Sequence, residues 1–196
     1  MVAAPAFAMD SDPARARTVL VVGDSISAAY GIQRSEGWVA LLEARLLALN
    51  PRHRVVNASV SGDTTGGGLT RLPDALALHS PDIVVIELGG NDALRGYPID
   101  RIRGNLDRMA ALCIEAGAKV IIAGMQIPPN YGSRYTTGFH ASFAEVAERR
   151  DAVLIPFLLE GIATEADLMQ QDGIHPTAAA QSRILDNLWP ALVPLV

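Results

Sequence analysis

Five short apolar runs divide the chain and predict the strands of a β-sheet. They cover residues 18–23, 54–60, 82–88, 119–125 and 152–157, and valine recurs in all of them. β-Branched residues favour strands, and continuous apolar runs of this length are typical of strands that are buried on both faces. The pattern therefore predicts a sheet that is covered by other elements on each side.

The segments between these runs show helical periodicity. Residues 38–49 and 99–116 repeat apolar side chains every three or four positions, which predicts amphipathic helices. The repeated positions are Val39, Leu42, Leu46 and Leu49 in the first segment and Ile102, Leu106, Met109 and Cys113 in the second. Residues 67–79, 138–150 and 177–192 are weaker helical candidates, and the last of them follows a proline that suits the start of a helix.

Strand and helix alternate from residue 18 onward, which predicts parallel strands joined by helical crossovers. The expected fold class is α/β, a three-layer α/β/α sandwich with a five-stranded parallel sheet. A chain of 196 residues is long enough for one domain with a substantial core. We therefore predict a single domain over residues 18–196, preceded by a tail of residues 1–17.

The tail contains a candidate processing signal. Ala6, Phe7 and Ala8 have the small-x-small form of a signal-peptide cleavage site, although no charged region or full apolar region precedes them. An alanine-rich tail without any signal explains the same residues equally well. The first interpretation predicts a periplasmic or secreted protein, and the second leaves a cytoplasmic one.

Charge and composition exclude several classes of protein. The net charge is -5 and the arginines are scattered along the chain, so no basic run for nucleic acid is present. The apolar runs are far shorter than the roughly 20 residues of a membrane-spanning helix. One cysteine and four histidines give no metal-ligand pattern, and Cys113 lies on an apolar helix face where an inert buried thiol is expected. We expect no metal, no cofactor, no nucleic-acid partner and a monomer.

Candidate chemistry lies in the loops that follow the predicted strands, where functional residues of parallel sheets collect. Glycine and small polar residues fill three of these loops, at residues 23–27, 61–64 and 89–92. Ser25 in the first loop becomes a nucleophile only if a neighbouring base removes its proton, and that base needs a carboxylate to orient it. A histidine and an acid are therefore required.

His175 is the histidine that best fits this role. Asp172 precedes it by three residues across a turn that Gly173 permits, so that acid and base can meet locally. The remaining histidines, in ordinary surface, capping or helical positions, are His53, His79 and His140.

Local structure alone also explains these residues. Aspartate–glycine turns are common, a histidine before a helix can cap it, and residues 23–25 fit a strand-to-helix turn. The nucleophile elbow Gly-x-Ser-x-Gly is not met, because Ser27 stands where its second glycine would be. A serine hydrolase with this sequence therefore needs an architecture other than the α/β-hydrolase fold.

Four sequence blocks together resemble the SGNH, or GDSL-like, hydrolase family, in the family's order and over nearly the whole chain from residue 18. The blocks are Gly23-Asp24-Ser25, Ser61-Gly62-Asp63, Gly89-Gly90-Asn91-Asp92 and Asp172-Gly173-Ile174-His175-Pro176. Residues 56–64, 87–96 and 125–132 are similar to the family's bacterial esterases that also act on acyl thioesters and lysophospholipids. The resemblance implies a flavodoxin-like SGNH-hydrolase fold and catalysis through an acyl-enzyme.

The same resemblance implies a role for each matched residue. Ser25 is expected as the nucleophile, His175 as the base and Asp172 as the acid that orients it. The implied oxyanion hole consists of the backbone N–H groups of Ser25 and Gly62 and the side-chain amide of Asn91. Removal of one such donor typically costs roughly 3–4 kcal/mol of transition-state stabilisation.

Further residues near the blocks receive other roles. Four positions are expected to border the acyl group of the substrate, namely Leu94, Tyr97, Ile127 and Pro128. The loop that contains the first two fits an ordinary strand-to-helix connection equally well. Three aspartates beside the blocks are expected to hold loops by accepting backbone N–H bonds, namely Asp24, Asp63 and Asp92.

The expected function is hydrolysis of carboxylic esters, namely aryl and alkyl esters, acyl thioesters and lysophospholipids. A carbohydrate O-acetylesterase on the same fold is one alternative, because the catalytic residues do not separate these substrates. A nucleotide- or flavin-binding domain is the other, because residues 62–68 are rich in glycine. Neither the P-loop lysine nor a Gly-x-Gly-x-x-Gly motif after the first strand is present, which disfavours nucleotide binding.

Overall fold

The part of the chain that the computed structural model describes, residues 15–196, contains a five-stranded parallel β-sheet. The strands are β1 (Thr18–Gly23), β2 (Arg54–Asn57), β3 (Ile83–Glu87), β4 (Lys119–Ala123) and β5 (Val153–Ile155). They lie in the order β2-β1-β3-β4-β5, and all neighbouring pairs are parallel. The predicted sheet is confirmed, and its strand order is the flavodoxin-like one.

Helices connect the strands. They are α1 (Trp38–Leu49), α2 (Thr65–His79), α3 (Gly90–Leu94), α4 (Ile99–Glu115), α5 (Ser133–Arg150) and α6 (Gln181–Leu192). Single 3₁₀ turns lie at Arg34–Glu36, Pro129–Tyr131, Ala178–Ala180 and Val193–Leu195. All five predicted helices are present, and the short α3 is an addition that the apolar pattern did not indicate.

The strands bury alternate residues on opposite faces of the sheet, as their two-residue period requires. One face packs against α2, α4 and α5, with Leu20, Val84 and Val120 among its strand residues. The other face packs against α1 and α6, with Val21 and Val85 among its strand residues. The predicted three-layer sandwich is therefore confirmed.

The predicted apolar face of α1 is correct except at its last residue. Trp38, Leu42 and Leu46 are fully buried and Val39 is nearly so, whereas Leu49 is 59% exposed. Leu49 ends the helix, and no further turn of α1 follows to continue the buried stripe.

β2 ends three residues before the apolar run that predicted it. Asn57 stops the strand because its side-chain oxygen accepts the Ser59 N–H at 3.1 Å, which turns the chain. Val60 N–H then donates to the Gly23 carbonyl at 3.1 Å, so the loop stays beside the end of β1. This contact brings Gly62 towards the loop that carries Ser25.

The strand order reverses between β1 and β3. β2 lies on one side of β1 and β3 on the other, so the connections that leave β1 and β3 diverge at this point. Such a switch point opens a crevice at the carboxyl ends of the two strands. Ser25 follows β1 and Asn91 follows β3, which places both beside this crevice.

Some expectations depend on features outside strands and helices. Within residues 15–196, no helix combines the length and the apolar character that a membrane span needs. The same stretch holds no group of three or more histidine, cysteine, aspartate or glutamate side chains arranged for a metal ion. The candidate processing signal at Ala6, Phe7 and Ala8 lies outside the described residues.

Candidate active site

Asp172, His175 and Ser25 form one continuous hydrogen-bonded array. His175 Nε2 lies 2.8 Å from Ser25 Oγ, and His175 Nδ1 lies 2.7 Å from Asp172 Oδ2. Ser25 and His175 are 150 residues apart in the chain, and the fold brings them together. The three residues that the sequence singled out therefore meet in space.

The Asp172 carboxylate is stabilised by the turn that carries it. Its Oδ1 accepts the backbone N–H groups of Ile174 at 2.9 Å and His175 at 3.0 Å, and Gly173 adopts the left-handed φ of 67° that closes the turn. The His175 N–H, the His175 ring and the Ile174 N–H together lower the Asp172 pKa to about 2. Asp172 is therefore an ionised acceptor, so His175 Nδ1 carries the hydrogen and Nε2 accepts the Ser25 hydroxyl.

Ser25 lies in a tight, irregular turn after β1. Ala28 N–H donates to Asp24 O at 2.9 Å, and Tyr30 N–H donates to Ser25 O at 3.0 Å. Ala29 has a positive φ of 60°, which is strained for a residue with a side chain. The Tyr30 ring stands 4.4 Å from the His175 ring, centroid to centroid, with the two ring planes tilted by 37°.

The backbone N–H groups of Ser25 and Gly62 are both available to donate to an oxyanion. Within the described chain, the N–H groups of Ser25 and Gly62 make no hydrogen bond to protein acceptors. Gly62 has a φ of 79°, and a side chain there would meet no atom within 4 Å, so the backbone conformation is the reason for glycine. Arg95 Nη2 donates to Gly62 O at 3.1 Å and ties this loop to the one after β3.

Asn91 lies at the start of α3, and its side chain points to the Ser25 loop. Asn91 Nδ2 donates to Asp24 Oδ2 at 2.9 Å. An amide nitrogen has two hydrogens, so one remains for a second acceptor. The turn before α3 depends on Gly89, whose φ of 130° is open mainly to glycine.

Arg71 on α2 joins the loops after β1 and β2. Its Nη2 donates to Gly23 O at 3.2 Å and its Nη1 donates to Ala58 O. Its Nε donates to Asp63 Oδ2 at 2.7 Å. One guanidinium thus holds both loops that supply the backbone N–H groups, a role that the sequence did not reveal.

The three aspartates beside the blocks hold loops, as expected. Asp63 Oδ1 also accepts the Thr64 N–H at 2.9 Å. Asp92 is fully buried and accepts both the N–H and the hydroxyl of Thr65 at the start of α2, at 2.8 and 2.6 Å. Asp24 Oδ1 accepts the Ile26 N–H at 3.1 Å.

A buried carboxyl pair lies behind the Ser25 loop. Glu87 at the end of β3 is fully buried, and its Oε2 accepts the Ser27 hydroxyl at 2.5 Å and the Asp24 N–H at 3.4 Å. Burial raises the Asp24 pKa to about 6, and burial together with the nearby Asp24 charge raises the Glu87 pKa well above its ordinary value. The pair therefore opposes folding when both carboxyls are ionised.

Asp24→Asn is expected to change how stability depends on pH. Because the folded-state pKa of Asp24 is raised from 3.8 to about 6, the stability that its protonated form contributes is present below pH 3.8 and is lost as the pH rises through 6. The unfolding free energy of the variant minus that of the unmodified protein should therefore increase by roughly 1–3 kcal/mol when the pH is raised from 4 to 8. Urea unfolding of both proteins at pH 4 and at pH 8 measures this increase.

The matched control is the same change at an exposed carboxylate on α2, Asp74→Asn. A stability difference between Asp24→Asn and the unmodified protein that is constant from pH 4 to pH 8 would contradict the assigned burial effect.

Two side chains outside the cleft were also assessed from the sequence. Cys113 is fully buried, which confirms its expected place on a buried apolar face, and burial raises its pKa to about 12. Of the surface or capping role expected for His53, the surface position is wrong, because the residue is only 7% exposed and its Nδ1 accepts the Arg17 N–H at 3.0 Å. That backbone hydrogen bond joins His53 to the chain just before β1, and burial lowers the His53 pKa.

The four positions expected to border an acyl group lie on two facing loops. Tyr131 hydroxyl donates to Leu94 O at 3.2 Å, and Tyr135 hydroxyl donates to Tyr97 O at 2.6 Å. Ile127 and Tyr97 are partly buried and pack against the core on the α2, α4 and α5 side of the sheet. Pro128 is exposed beside them at the start of the turn Pro129–Tyr131.

A groove of about 700 Å³ runs beside these facing loops, along residues 98–100 and 131–138. A second cavity of about 300 Å³ borders the other side of the Ser25 turn, with Ser27, Ala29 and Val39 among its lining residues. Neither Ser25 nor His175 lines these two spaces.

The array and the sheet together define a class of protein. A serine, histidine and aspartate joined in this order recur in serine hydrolases of unrelated folds, and geometry identifies them. Here the array lies at the carboxyl edge of a flavodoxin-like parallel sheet, so the class is a serine hydrolase of SGNH type. The profile of the GDSL-like Lipase/Acylhydrolase family matches residues 21–183, and the chain belongs to this family.

Individual relatives support the same placement. Esterase TesA of Pseudomonas aeruginosa is 52% identical over 191 residues, which cover 97% of this chain and 95% of the relative. Thioesterase 1/protease 1/lysophospholipase L1 of Escherichia coli K12 is 40% identical over 183 residues, which cover 93% and 86% of the two chains. A crystal structure of TesA superposes with a TM-score of 0.89 at 53% identity and covers 92% of this chain and all of that one. The predicted family is confirmed.

Proposed function

We propose that the protein is a serine esterase that hydrolyses carboxylic esters through an acyl-enzyme on Ser25. The observation that carries this proposal is the unbroken array from Asp172 through His175 to the Ser25 hydroxyl, with bonds of 2.7 and 2.8 Å. An ionised acid, an imidazole held in one tautomer and a hydroxyl within its reach are the parts that acyl transfer needs.

Acylation begins with proton transfer from Ser25 Oγ to His175 Nε2 while Oγ attacks the ester carbonyl carbon. The carbonyl oxygen becomes an oxyanion in a tetrahedral intermediate. Collapse of this intermediate breaks the bond to the alcohol, which takes the proton from His175 Nε2 as it leaves. Asp172 stays ionised and stabilises the imidazolium that forms between the two transfers.

Deacylation repeats these steps with water as the nucleophile. His175 Nε2 takes a proton from water, the hydroxide adds to the acyl carbon, and a second oxyanion forms. The intermediate then expels Ser25 Oγ, which recovers its proton from His175. The products are a carboxylic acid and the free enzyme, so the cycle needs no cofactor.

We assign the oxyanion hole to the N–H groups of Ser25 and Gly62 and the amide of Asn91. Asp24 supports the last assignment, because its carboxylate takes one Asn91 hydrogen and thereby orients the other. Removal of the amide in Asn91→Ala is expected to lower kcat by about 10²–10³-fold with little change in KM, because the donor acts on charge that develops in the transition state. Steady-state kinetics on a p-nitrophenyl ester measures both constants.

Asn187→Ala is the control for that variant. Asn187 is another asparagine whose side-chain amide donates hydrogen bonds, here to the carbonyl oxygens of Leu158 and Glu160. It lies on α6 and was not assigned to the oxyanion hole. Equal kcat values for the two variants would remove Asn91 from the oxyanion hole.

We propose aryl and alkyl esters as substrates, and acyl thioesters and lysophospholipids as further ones. The Escherichia coli relative is named for thioesterase and lysophospholipase activities. The acyl group is assigned to the surface formed by Leu94, Tyr97, Ile127 and Pro128, which two tyrosine hydroxyls hold together. Mostly apolar side chains on this surface suit an alkyl chain better than a sugar ring, which disfavours the carbohydrate esterase alternative.

A substrate panel tests the proposed function. p-Nitrophenyl esters from acetyl to palmitoyl, an acyl-CoA, a lysophospholipid and an acetylated sugar should be compared at equal enzyme concentration. Hydrolysis of the p-nitrophenyl esters is expected, with acyl-CoA and lysophospholipid turnover above that of the acetylated sugar. Inactivity on every ester together with nucleotide binding would overturn the proposal.

Three further properties complete the proposal. A single hydrolase domain over residues 18–196 is supported by core clusters on both faces of one sheet. A periplasmic or secreted location is proposed on the small-x-small motif at residues 6–8, and a monomer is the proposed state. Size-exclusion chromatography and fractionation of expressing cells measure these properties.

A further inference from the structure

Gln170 connects the turn that carries Ser25 to the turn that carries His175. Its Nε2 donates to Tyr30 O at 2.8 Å on the first turn and to Pro176 O at 3.0 Å on the second. A carboxamide nitrogen has two hydrogens, so each turn takes one of them. The side chain therefore acts as a bridge between the two turns.

The backbone of Gln170 is also part of the second turn. Gln170 N–H donates to His175 O at 2.7 Å, and Gly173 N–H donates to Gln170 O at 2.9 Å. Met169 forms an antiparallel bridge with Pro176. The bridge thus starts from a residue that is itself held in place.

These bonds close a circuit around the candidate catalytic pair. Tyr30 N–H donates to Ser25 O at 3.0 Å, so hydrogen bonds run from the Ser25 backbone through Tyr30 and Gln170 to the His175 backbone. The contact of 2.8 Å between Ser25 Oγ and His175 Nε2 completes the circuit. Because every link is a short, directional hydrogen bond, the circuit restrains the distance between the Ser25 and His175 backbones.

Gly31 has no side chain and so leaves room for the carboxamide of Gln170. A Cβ at this position would stand 2.3 Å from Gln170 Oε1, and the φ of Gly31 is 76°. Glycine therefore serves both the backbone conformation and the close approach of Gln170.

We propose that Gln170 is a positioning residue that sets the separation of Ser25 and His175 for proton transfer. The proposal rests on the function proposed above. It gives Gln170 an influence on turnover although its side chain touches neither the reacting atoms nor the substrate. A misplacement of about 1 Å in a catalytic array can lower the rate by about 10²-fold.

Two substitutions separate the effect of the Gln170 hydrogen bonds from the effect of its side-chain volume. Gln170→Ala removes both donors and the side-chain volume, and Gln170→Met removes the donors but keeps most of the volume. Both are expected to lower kcat on p-nitrophenyl butyrate by about 10²-fold, with KM within about twofold of the unmodified value. Gln171→Ala, at the exposed next residue, is the matched control and should leave both constants unchanged.

Thermal unfolding of each variant identifies any that fails to fold. A kcat within about threefold of the unmodified value in both Gln170 variants would overturn the proposal, as would full recovery of kcat by Gln170→Met. A fall in kcat that is matched by an equal rise in KM would also overturn it, because that pattern indicates lost substrate binding.

A spectroscopic readout works even without turnover. In protein with ¹⁵N-labelled histidine, the His175 Nε2 resonance reports its hydrogen bond to Ser25. In Gln170→Met this resonance should shift towards its position in Ser25→Ala, and an unshifted resonance would overturn the proposal. Failure of the esterase function would instead be seen as inactivity of the unmodified protein in the substrate panel, so the two failures are distinguishable.

Discussion

Ser25→Ala is expected to lower kcat for ester hydrolysis by about 10⁵–10⁶-fold, because the variant loses the atom that forms the acyl-enzyme. The residual rate should come from the oxyanion donors and substrate binding alone. Within residues 15–196 the Ser25 side chain makes one hydrogen bond, to His175, so its loss should leave the fold intact. Steady-state kinetics and a thermal unfolding curve measure the two effects separately.

Ser182→Ala provides the control for this variant. Ser182 is exposed on α6, and its replacement should leave kcat at the unmodified value. Near-normal turnover in Ser25→Ala would assign the nucleophile to another residue, and a collapsed unfolding transition would make Ser25 a structural residue instead.

Asp172→Asn is expected to lower kcat by about 10⁴-fold while the turn that carries it persists. The asparagine oxygen can still accept the N–H groups of Ile174 and His175, which preserves the backbone. Its amide nitrogen, however, donates towards His175 Nδ1 and therefore forces the ring hydrogen onto Nε2. In that tautomer Nε2 cannot accept the Ser25 hydroxyl.

The comparison variant is Asp167→Asn, an exposed carboxylate on the same segment of chain. It should retain full turnover at every pH tested. A loss of only twofold in Asp172→Asn would require another acid to orient His175.

Much of the fold follows directly from the apolar pattern. Runs of β-branched residues reveal β1, β3 and β4 because these strands are buried on both faces, so that nearly every position in them is apolar. The pattern is weaker where long-range contacts decide the structure. α5 begins at Ser133, five residues before the predicted start, although Thr136, Thr137 and Gly138 are poor helix formers.

Contacts with distant residues stabilise that first turn of α5. The Tyr135 hydroxyl donates to Tyr97 O at 2.6 Å, and Phe139 is fully buried against the core. The short helix α3 is likewise held by Asp92, which accepts two hydrogen bonds from Thr65. Propensity and periodicity are local properties, so they do not reveal stabilisation of this kind.

The candidate site likewise contains residues that the sequence reveals and residues that it does not. Asp172 and His175 are recognisable because they are three residues apart and meet within one turn. Glu87 has a visible signal, since it is a charged residue in a strand whose other members are all buried and apolar, and such a residue needs a partner. Gln170 has none, because its partners are backbone carbonyls and a sequence does not show where these point.

Covalent labelling tests the central claim most directly. The protein should be incubated with a fluorophosphonate, which phosphonylates activated serines, and its proteolytic peptides should then be analysed by mass spectrometry. The expected result is a single adduct on the peptide that contains Ser25, with loss of esterase activity in proportion to labelling and no adduct in Ser25→Ala. An adduct on a different residue, or full esterase activity in protein whose Ser25 is completely labelled, would contradict the assignment of Ser25 as the nucleophile.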